Sequence, residues 1–268
     1  MNHALKDILS HKAGEVAEAK ARVPLEALKE RISELGRPRN FFQAVVDRRH
    51  PNATHIIAEV KRMSPSAGVI REDFDPVAIA RAYADNGASA ISCLTDERFF
   101  GGRLEYIHAI RDAVRLPVLR KDFLIDIYQV WEARAAGADA ILLIAEALPE
   151  RDIIDFQILA TELGMTTLIE VHDVDNLLRI VNIVGFPHAS YSLLGINNRD
   201  LRTMKTSIEH SMRLAEMLED TSVLVSESGI RTPDDLARLR AHGIHIALVG
   251  EHLMKQPDPG VALRELLA

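Results

Sequence analysis

Val118-Leu119-Arg120-Lys121-Asp122-Phe123 (VLRKDF) begins as a buried β-strand and stops on three charges. The pattern recurs. HIIAEVKR (55–62), ASAISCLTD (88–96), LPVLRKDF (116–123), ADAILLIAEA (138–147), TTLIEVHD (166–173), YSLLGINNRD (191–200), SVLVSESG (222–229) and HIALVGEH (245–252) are near-continuously apolar and rich in β-branched residues. Such runs mark strands covered on both faces, as in a parallel sheet. The segments between them have helical spacing, for example DPVAIARAYADNG (75–87), ERDIIDFQILATELG (150–164) and TPDDLARLRAHG (232–243). Asp75-Pro76 and Thr232-Pro233 place an N-cap before a proline at the first helical position. Gly87, Gly137, Gly164 and Gly243 follow helices as left-handed caps. Strand then helix, eight times over, predicts an α/β fold of the (β/α)₈ barrel type. A doubly wound open sheet is the competing arrangement; a count of eight favours closure, because eight strands enclose an interior that side chains just fill.

The 268 residues are 47% hydrophobic and 26% charged, enough for a full core in one domain over residues 1–268. A formal net charge of −7 argues against broad nucleic-acid binding but allows a local basic pocket. The lone Cys93, inside AISCLT, reads as a buried structural thiol and permits no internal disulfide. MNHALKDILSHKAGE does not read as a signal peptide, and the longest apolar run, AILLIA, is far short of a membrane span. The expected setting is cytoplasmic, with no membrane contact. The eleven histidines are scattered, so no metal site is expected. Residues 1–48 precede the first strand and read as one or two helices, split near Pro24 and ended by Gly36-Arg37-Pro38. They would form an extension capping one mouth of the barrel, with or without touching a ligand.

Barrel enzymes carry their chemistry at the C-terminal ends of the strands. There the chain places Glu59 and Lys61, Lys121, Glu170, Asn197 and Arg199, Glu227 and Ser228, and Gly250 and Glu251. Any one of these charges could simply end a strand in water. Together they converge on one ring of strand ends, which a polar small molecule would explain. Glu59 and Lys61 are two apart and face the same side. Barrels often hold phosphate between the loops after strands seven and eight. Ser228-Gly229 and Val249-Gly250 occupy those loops, and glycine lets backbone N–H groups approach an anion. Ser64 and Ser66, after the first strand, add hydroxyl donors.

The motifs IAEVKRMSPSAGVI, LTDERFFGG, LPVLRKDF, LIEVHD, GINNRDL, VSESGI and LVGEHLM, in this order, resemble the indole-3-glycerol phosphate synthase family along nearly the whole chain. The resemblance implies a (β/α)₈ barrel with an N-terminal extension over its active site. It also implies a cofactor-free conversion of 1-(2-carboxyphenylamino)-1-deoxyribulose 5-phosphate to indole-3-glycerol phosphate, CO₂ and water, by a protein that is often monomeric. It implies Lys121 as general acid and Glu170 as general base, with Lys61 and Glu59 assisting. Asn197, Arg199, Glu227, Ser228, Phe100 and Phe123 would meet the substrate. Ser64, Gly229, Gly250 and Glu251 would lie in the phosphate loops. The chain departs from the family at Met63 (often lysine or alanine), Ala67 (usually lysine), Arg103 (commonly serine) and Glu251 (serine in some members). Two rival readings are a phosphoribosylanthranilate isomerase-like barrel, which would need a catalytic cysteine where Cys93 does not stand, and a non-catalytic barrel, which would have lost an acid or a base.

Overall fold

The computed structural model describes residues 3–46, 53–200, 203 and 205–268. Residues 1, 2, 47 and 48 of the expected extension, and Leu201 of GINNRDL, lie outside the described residues. Three helices precede the barrel: α1 (His3–Arg22), α2 (Leu25–Glu34) and α3 (Phe41–Val45). The barrel opens with β1 (His55–Val60) and a small antiparallel hairpin, β2 (Met63–Ser64) with β3 (Gly68–Val69), built into the loop that follows. Then come α4 (Pro76–Asp85), β4 (Ala90–Leu94), the short α5 (Glu97–Phe100), α6 (Glu105–Ala113), β5 (Val118–Lys121) and α7 (Ile127–Ala135). The second half runs β6 (Ala140–Ile144), α8 (Glu150–Glu162), β7 (Thr166–Val171), α9 (Val174–Ile180), β8 (Ser192–Asn197) and α10 (Glu209–Ala215). It ends with β9 (Leu224–Glu227), α11 (Pro233–Ala241), β10 (Ile246–Val249), α12 (Glu251–Met254) and α13 (Pro259–Leu267).

The eight long strands pair in parallel and close in the order β1-β10-β9-β8-β7-β6-β5-β4. Each of the eight apolar runs supplies one strand, so the barrel is the arrangement adopted and the open sheet is not. Parallel neighbours need crossovers, and the helices that supply them cover the outer face. The helix signals are used as read. Asp75 accepts from Val77 and Ala78 N, and Thr232 forms a reciprocal cap with Asp235. Gly87, Gly137, Gly164 and Gly243 all have positive φ.

Alternation along each strand makes two cores. Outward side chains such as Ile56, Ile91, Val118, Ile141 and Ile169 pack under the helices. Inward ones, among them Ile57, Leu119, Leu142, Leu168, Leu193, Val225 and Leu248, fill the barrel. Phe41, Phe42 and Val45 of α3 join this inner core at the N-terminal mouth, where Phe42 N donates to Thr166 Oγ1 at the start of β7. α1 lies at the other end and meets the C-terminal mouth. The extension therefore reaches both mouths of the barrel. The hairpin β2–β3 and helix α3 were not legible, being too short to show a period.

Candidate active site

The strand ends surround one cavity of about 840 Å³ at the C-terminal mouth. It is lined by every site residue expected from the sequence, from Glu59 and Lys61 on β1 to Gly250 and Glu251 after β10. At its base the charges are paired. Lys121 Nζ donates to Glu170 Oε2 at 2.7 Å and lies 3.4 Å from Glu227 Oε2. Lys61 Nζ donates to Glu59 Oε1 at 2.5 Å. Asn197 Nδ2 donates to Glu170 Oε1 at 3.1 Å.

Burial sharpens these groups. Desolvation would raise the pKa of Glu170, but the cations Lys121 and His172, with hydrogen bonds from Lys121 and Asn197, outweigh it and hold the carboxyl at about 2. Desolvation and the neighbouring Glu170 push Glu227 well above its usual range. The two carboxyls are thus driven apart in proton affinity, Glu170 down and Glu227 up, as expected when two acids share a buried site. Burial disfavours the Lys121 ammonium, yet Glu170, Glu227 and Glu59 more than compensate, and its pKa is raised.

Two glycines make room for this cluster. A Cβ on Gly195 would fall on Glu227 Oε1, and one on Gly250 would fall on Glu59 Oε1 and lie 2.9 Å from the Glu59 Cβ. Gly250 therefore has a packing reason to be glycine besides the approach of an anion. Ser228 is the one non-glycine residue with positive φ among the described residues, at 69°. A side chain there costs energy, and such strain tends to persist where the surroundings over-determine it. Buried Asn198 supplies the constraint: it donates to Ser228 O at 3.0 Å and Ser226 Oγ at 2.9 Å, and accepts from Ser211 N and Oγ.

The rim is cationic and jointed. Arg199 donates to Glu251 Oε2 at 3.0 Å and to Ser66 Oγ at 3.3 Å, so it links the loops after β8, β1 and β10. Glu251 also accepts from Lys255 at 2.6 Å. Its side chain is turned to these cations, leaving its backbone N–H as what it can offer an anion. Phe100 and Phe123 face each other across the opening with centroids 6.0 Å apart. Leu5 and Ile8 of α1 complete the apolar wall. Of the departures, Arg103 is exposed, 3.9 Å from Glu97, and Ala67 is exposed on the hairpin turn; neither lines the cavity.

VLRKDF is explained by alternation. Lys121 points into the mouth. Arg120 and Asp122 are buried on the opposite side, where Arg120 pairs with Glu132 at 2.9 Å and with Asp122 at 3.1 Å. Asp122 also accepts from Thr95 Oγ1 and from Lys12 of α1. Cys93 is fully buried and burial raises its pKa, as expected of an inert structural thiol. Sequence reasoning missed Lys12, because nothing local marks a lysine that will be buried by a distant loop. It also missed His172, although His172 stands two residues after Glu170, the same offset that linked Glu59 and Lys61.

A closed (β/α)₈ barrel with lysines and glutamates paired at its C-terminal mouth defines an acid–base barrel enzyme. Residues 5–266 match the profile of the indole-3-glycerol phosphate synthase family, and the chain belongs to that family. It is 47% identical over 264 residues to indole-3-glycerol phosphate synthase of Rhodopirellula baltica, covering 98% of each chain. It is 46% identical to that of Acidithiobacillus ferrooxidans (99% of each) and 44% identical to that of Laribacter hongkongensis (100% of each). Among solved structures, a 3-hexulose-6-phosphate synthase of Salmonella typhimurium superposes with a TM-score of 0.62 at 15% identity, over 80% of this chain and 96% of that one. That likeness is one of fold. Family membership does not favour the isomerase or the non-catalytic reading.

Proposed function

We propose that this chain carries out the indole-forming reaction at the cavity just described, with Lys121 as general acid and Glu170 as general base. The observation that carries the reading is the buried Lys121–Glu170 pair at 2.7 Å, set at the base of a cavity with an aromatic wall and a cationic rim. The substrate, 1-(2-carboxyphenylamino)-1-deoxyribulose 5-phosphate, has an aromatic ring, a carboxylate and a phosphate to match them. Its aromatic part fits against the Phe100–Phe123 pair, with Leu5 and Ile8 beside it. Its phosphate fits the loops bearing Ser64, Ser228-Gly229 and Gly250-Glu251, where backbone N–H groups, hydroxyls and Arg199 converge.

The ring carbon that bears the carboxylate attacks the ketone carbon, and negative charge builds on the ketone oxygen. Lys121 Nζ donates a proton there. CO₂ then departs and the aromatic ring is restored. The substrate nitrogen next pushes out the new hydroxyl as water, with a second proton from Lys61, which Glu59 orients. Glu170 takes the proton from the carbon between nitrogen and the former ketone. Two protons are given and one is taken, so one proton is drawn from solvent, matching the conversion of a carboxylate to neutral CO₂. The substrate nitrogen supplies the electron push, so the scheme uses side chains alone.

The same reading takes the protein as a cytoplasmic monomer without nucleic-acid partners, and residues 1–48 as part of one unit with the barrel. No helix among the described residues is long and apolar enough to cross a membrane. The direct test is incubation of purified protein with the carboxyphenylamino substrate, following indole fluorescence. Steady growth of the product signal is expected, and a folded protein that leaves the substrate intact sinks the proposal.

A further inference from the structure

The reaction leaves one part of the cavity wall unused. His172 follows β7, and its Nε2 lies 3.3 Å from Glu170 Oε1. Its Nδ1 lies 3.2 Å from Glu146 Oε2, in the loop after β6. Its backbone N–H donates to Glu146 Oε1 at 2.8 Å, and its carbonyl is 2.9 Å from His210 Nε2 of α10. Both ring nitrogens therefore face carboxylates, and both main-chain polar groups are held. Nδ1 hydrogen-bonds to Glu146 and Nε2 meets Glu170 as an ion-pair contact, so a cationic ring suits both carboxylates where a neutral one does not. The Glu146-His172-Glu170 chain is thus a hydrogen bond on one side and a charge contact on the other.

We propose that His172 is the positioning residue for the base: anchored on Glu146 as an imidazolium, it clamps Glu170 Oε1 so that Oε2 stays on Lys121 and the carboxylate keeps one orientation through the cycle. This rests on the assignment of Glu170 as base. The clamp has a pH dependence. The groups that face the imidazolium are Glu146 and Glu170 directly, Lys121 behind Glu170, and His210 on its carbonyl, with Asp173 next in the chain and Arg213 beside His210. Burial alone would lower the pKa of His172, but the two carboxylates outweigh it and raise it above the usual value. The imidazolium is thus kept to higher pH than in an unperturbed histidine and is lost as pH rises through its folded-state pKa.

The test uses wild-type protein, His172→Gln, Glu146→Gln and the double variant, each checked for folding by circular dichroism. Steady-state kcat and KM are measured across pH, and the His172 ring proton is titrated by NMR in wild type and Glu146→Gln. His172→Gln should lower kcat at least about tenfold, because small misplacements of catalytic groups are costly, with KM within about threefold. Loss of a cation this close should move the acid limb due to Glu170 up by roughly 1–3 pH units. Glu146→Gln should bring the alkaline limb and the NMR titration of His172 down together. The double variant should be no worse than His172→Gln within about threefold, as expected for residues acting in series. A folded His172→Gln enzyme with wild-type kcat and an unmoved acid limb overturns the inference, as does a double variant whose losses multiply. Should His172→Gln not fold, a Glu146→Gln protein whose His172 titration and alkaline limb are unchanged overturns it equally. The NMR arm needs no substrate. A wild-type protein that shows the raised titration yet forms no product would count against the proposed reaction and leave the clamp standing.

Discussion

Lys121 lies against two buried acids, Glu170 and Glu227, besides its proposed part in the chemistry. Replacing it with methionine keeps the apolar stem but leaves Glu170 charged with only His172 and Asn197 for partners. General acid catalysis is typically worth about 10²–10⁴-fold, so kcat of Lys121→Met should fall at least ~10²-fold, with a smaller change in KM because the phosphate contacts remain. Removing one partner of a buried pair leaves an uncompensated charge. A stability loss of about 2–4 kcal/mol is therefore expected, read from denaturant melts. A folded variant retaining more than about a tenth of wild-type kcat would take Lys121 out of the acid role.

Helix α1 carries one buried lysine to the mouth, besides the bonds that Tyr128 and Asp126 make to its C-terminal end. Lys12 is 3% exposed and lies 2.8 Å from Asp96 Oδ2 and 2.9 Å from Asp122 Oδ1, residues 0% and 3% exposed. Asp96 caps α5, which ends on Phe100, and Asp122 follows Lys121 and precedes Phe123. One side chain on α1 thus braces the loops that carry both cavity phenylalanines. Burial would lower the pKa of Lys12, but Asp122 and Asp96 raise it, so its stabilisation is present at neutral pH and lost only far into the alkaline range. In Lys12→Met the two aspartates lose their cation, although Arg120 still serves Asp122. Partial undocking of α1 should follow, because letting water reach the aspartates costs less than leaving them dry and unpaired. We expect faster proteolytic cleavage within residues 3–23 and a kcat/KM at least about tenfold lower, since Leu5 and Ile8 leave the wall with the helix. Unchanged cleavage and kinetics would show that α1 is held by its other contacts.

The acid limit of the whole fold should be set by buried carboxylates. Asp122 and Glu170 are both held at about 2, in each case because neighbouring cations outweigh desolvation. Their unfolded-state values are near 4. A depressed folded pKa gives stability that is complete above the unfolded pKa and is lost as pH falls through the folded one. These two groups should make the melting temperature drop between roughly pH 4.5 and 2. Asp122→Asn should lower the melting temperature at pH 7 and flatten that acid drop. If the variant's acid slope equals that of wild type, Asp122 is not one of the groups responsible.

The barrel was legible in the residues because its signals are local. Strand runs, helix periods, proline and glycine caps and the count of eight each depend on neighbours within a few positions, and parallel strands need both faces apolar. The ring of polar strand ends was legible for the same reason, since the fold dictates which end of every strand carries chemistry. Three things depended on the closed structure. Glu170 and Glu227 are 57 positions apart in the chain, and only barrel closure brings them to one lysine and drives their proton affinities in opposite directions. Gly195 and Gly250 carry no mark of the carboxylates that fill the space where their side chains would be. Lys12 looks like any surface lysine of a helix until the loops after β4 and β5 fold over it. Local pattern reports which face a side chain takes; burial, pairing and proton affinity are properties of groups brought together from distant parts of the chain, and only packing in three dimensions decides them.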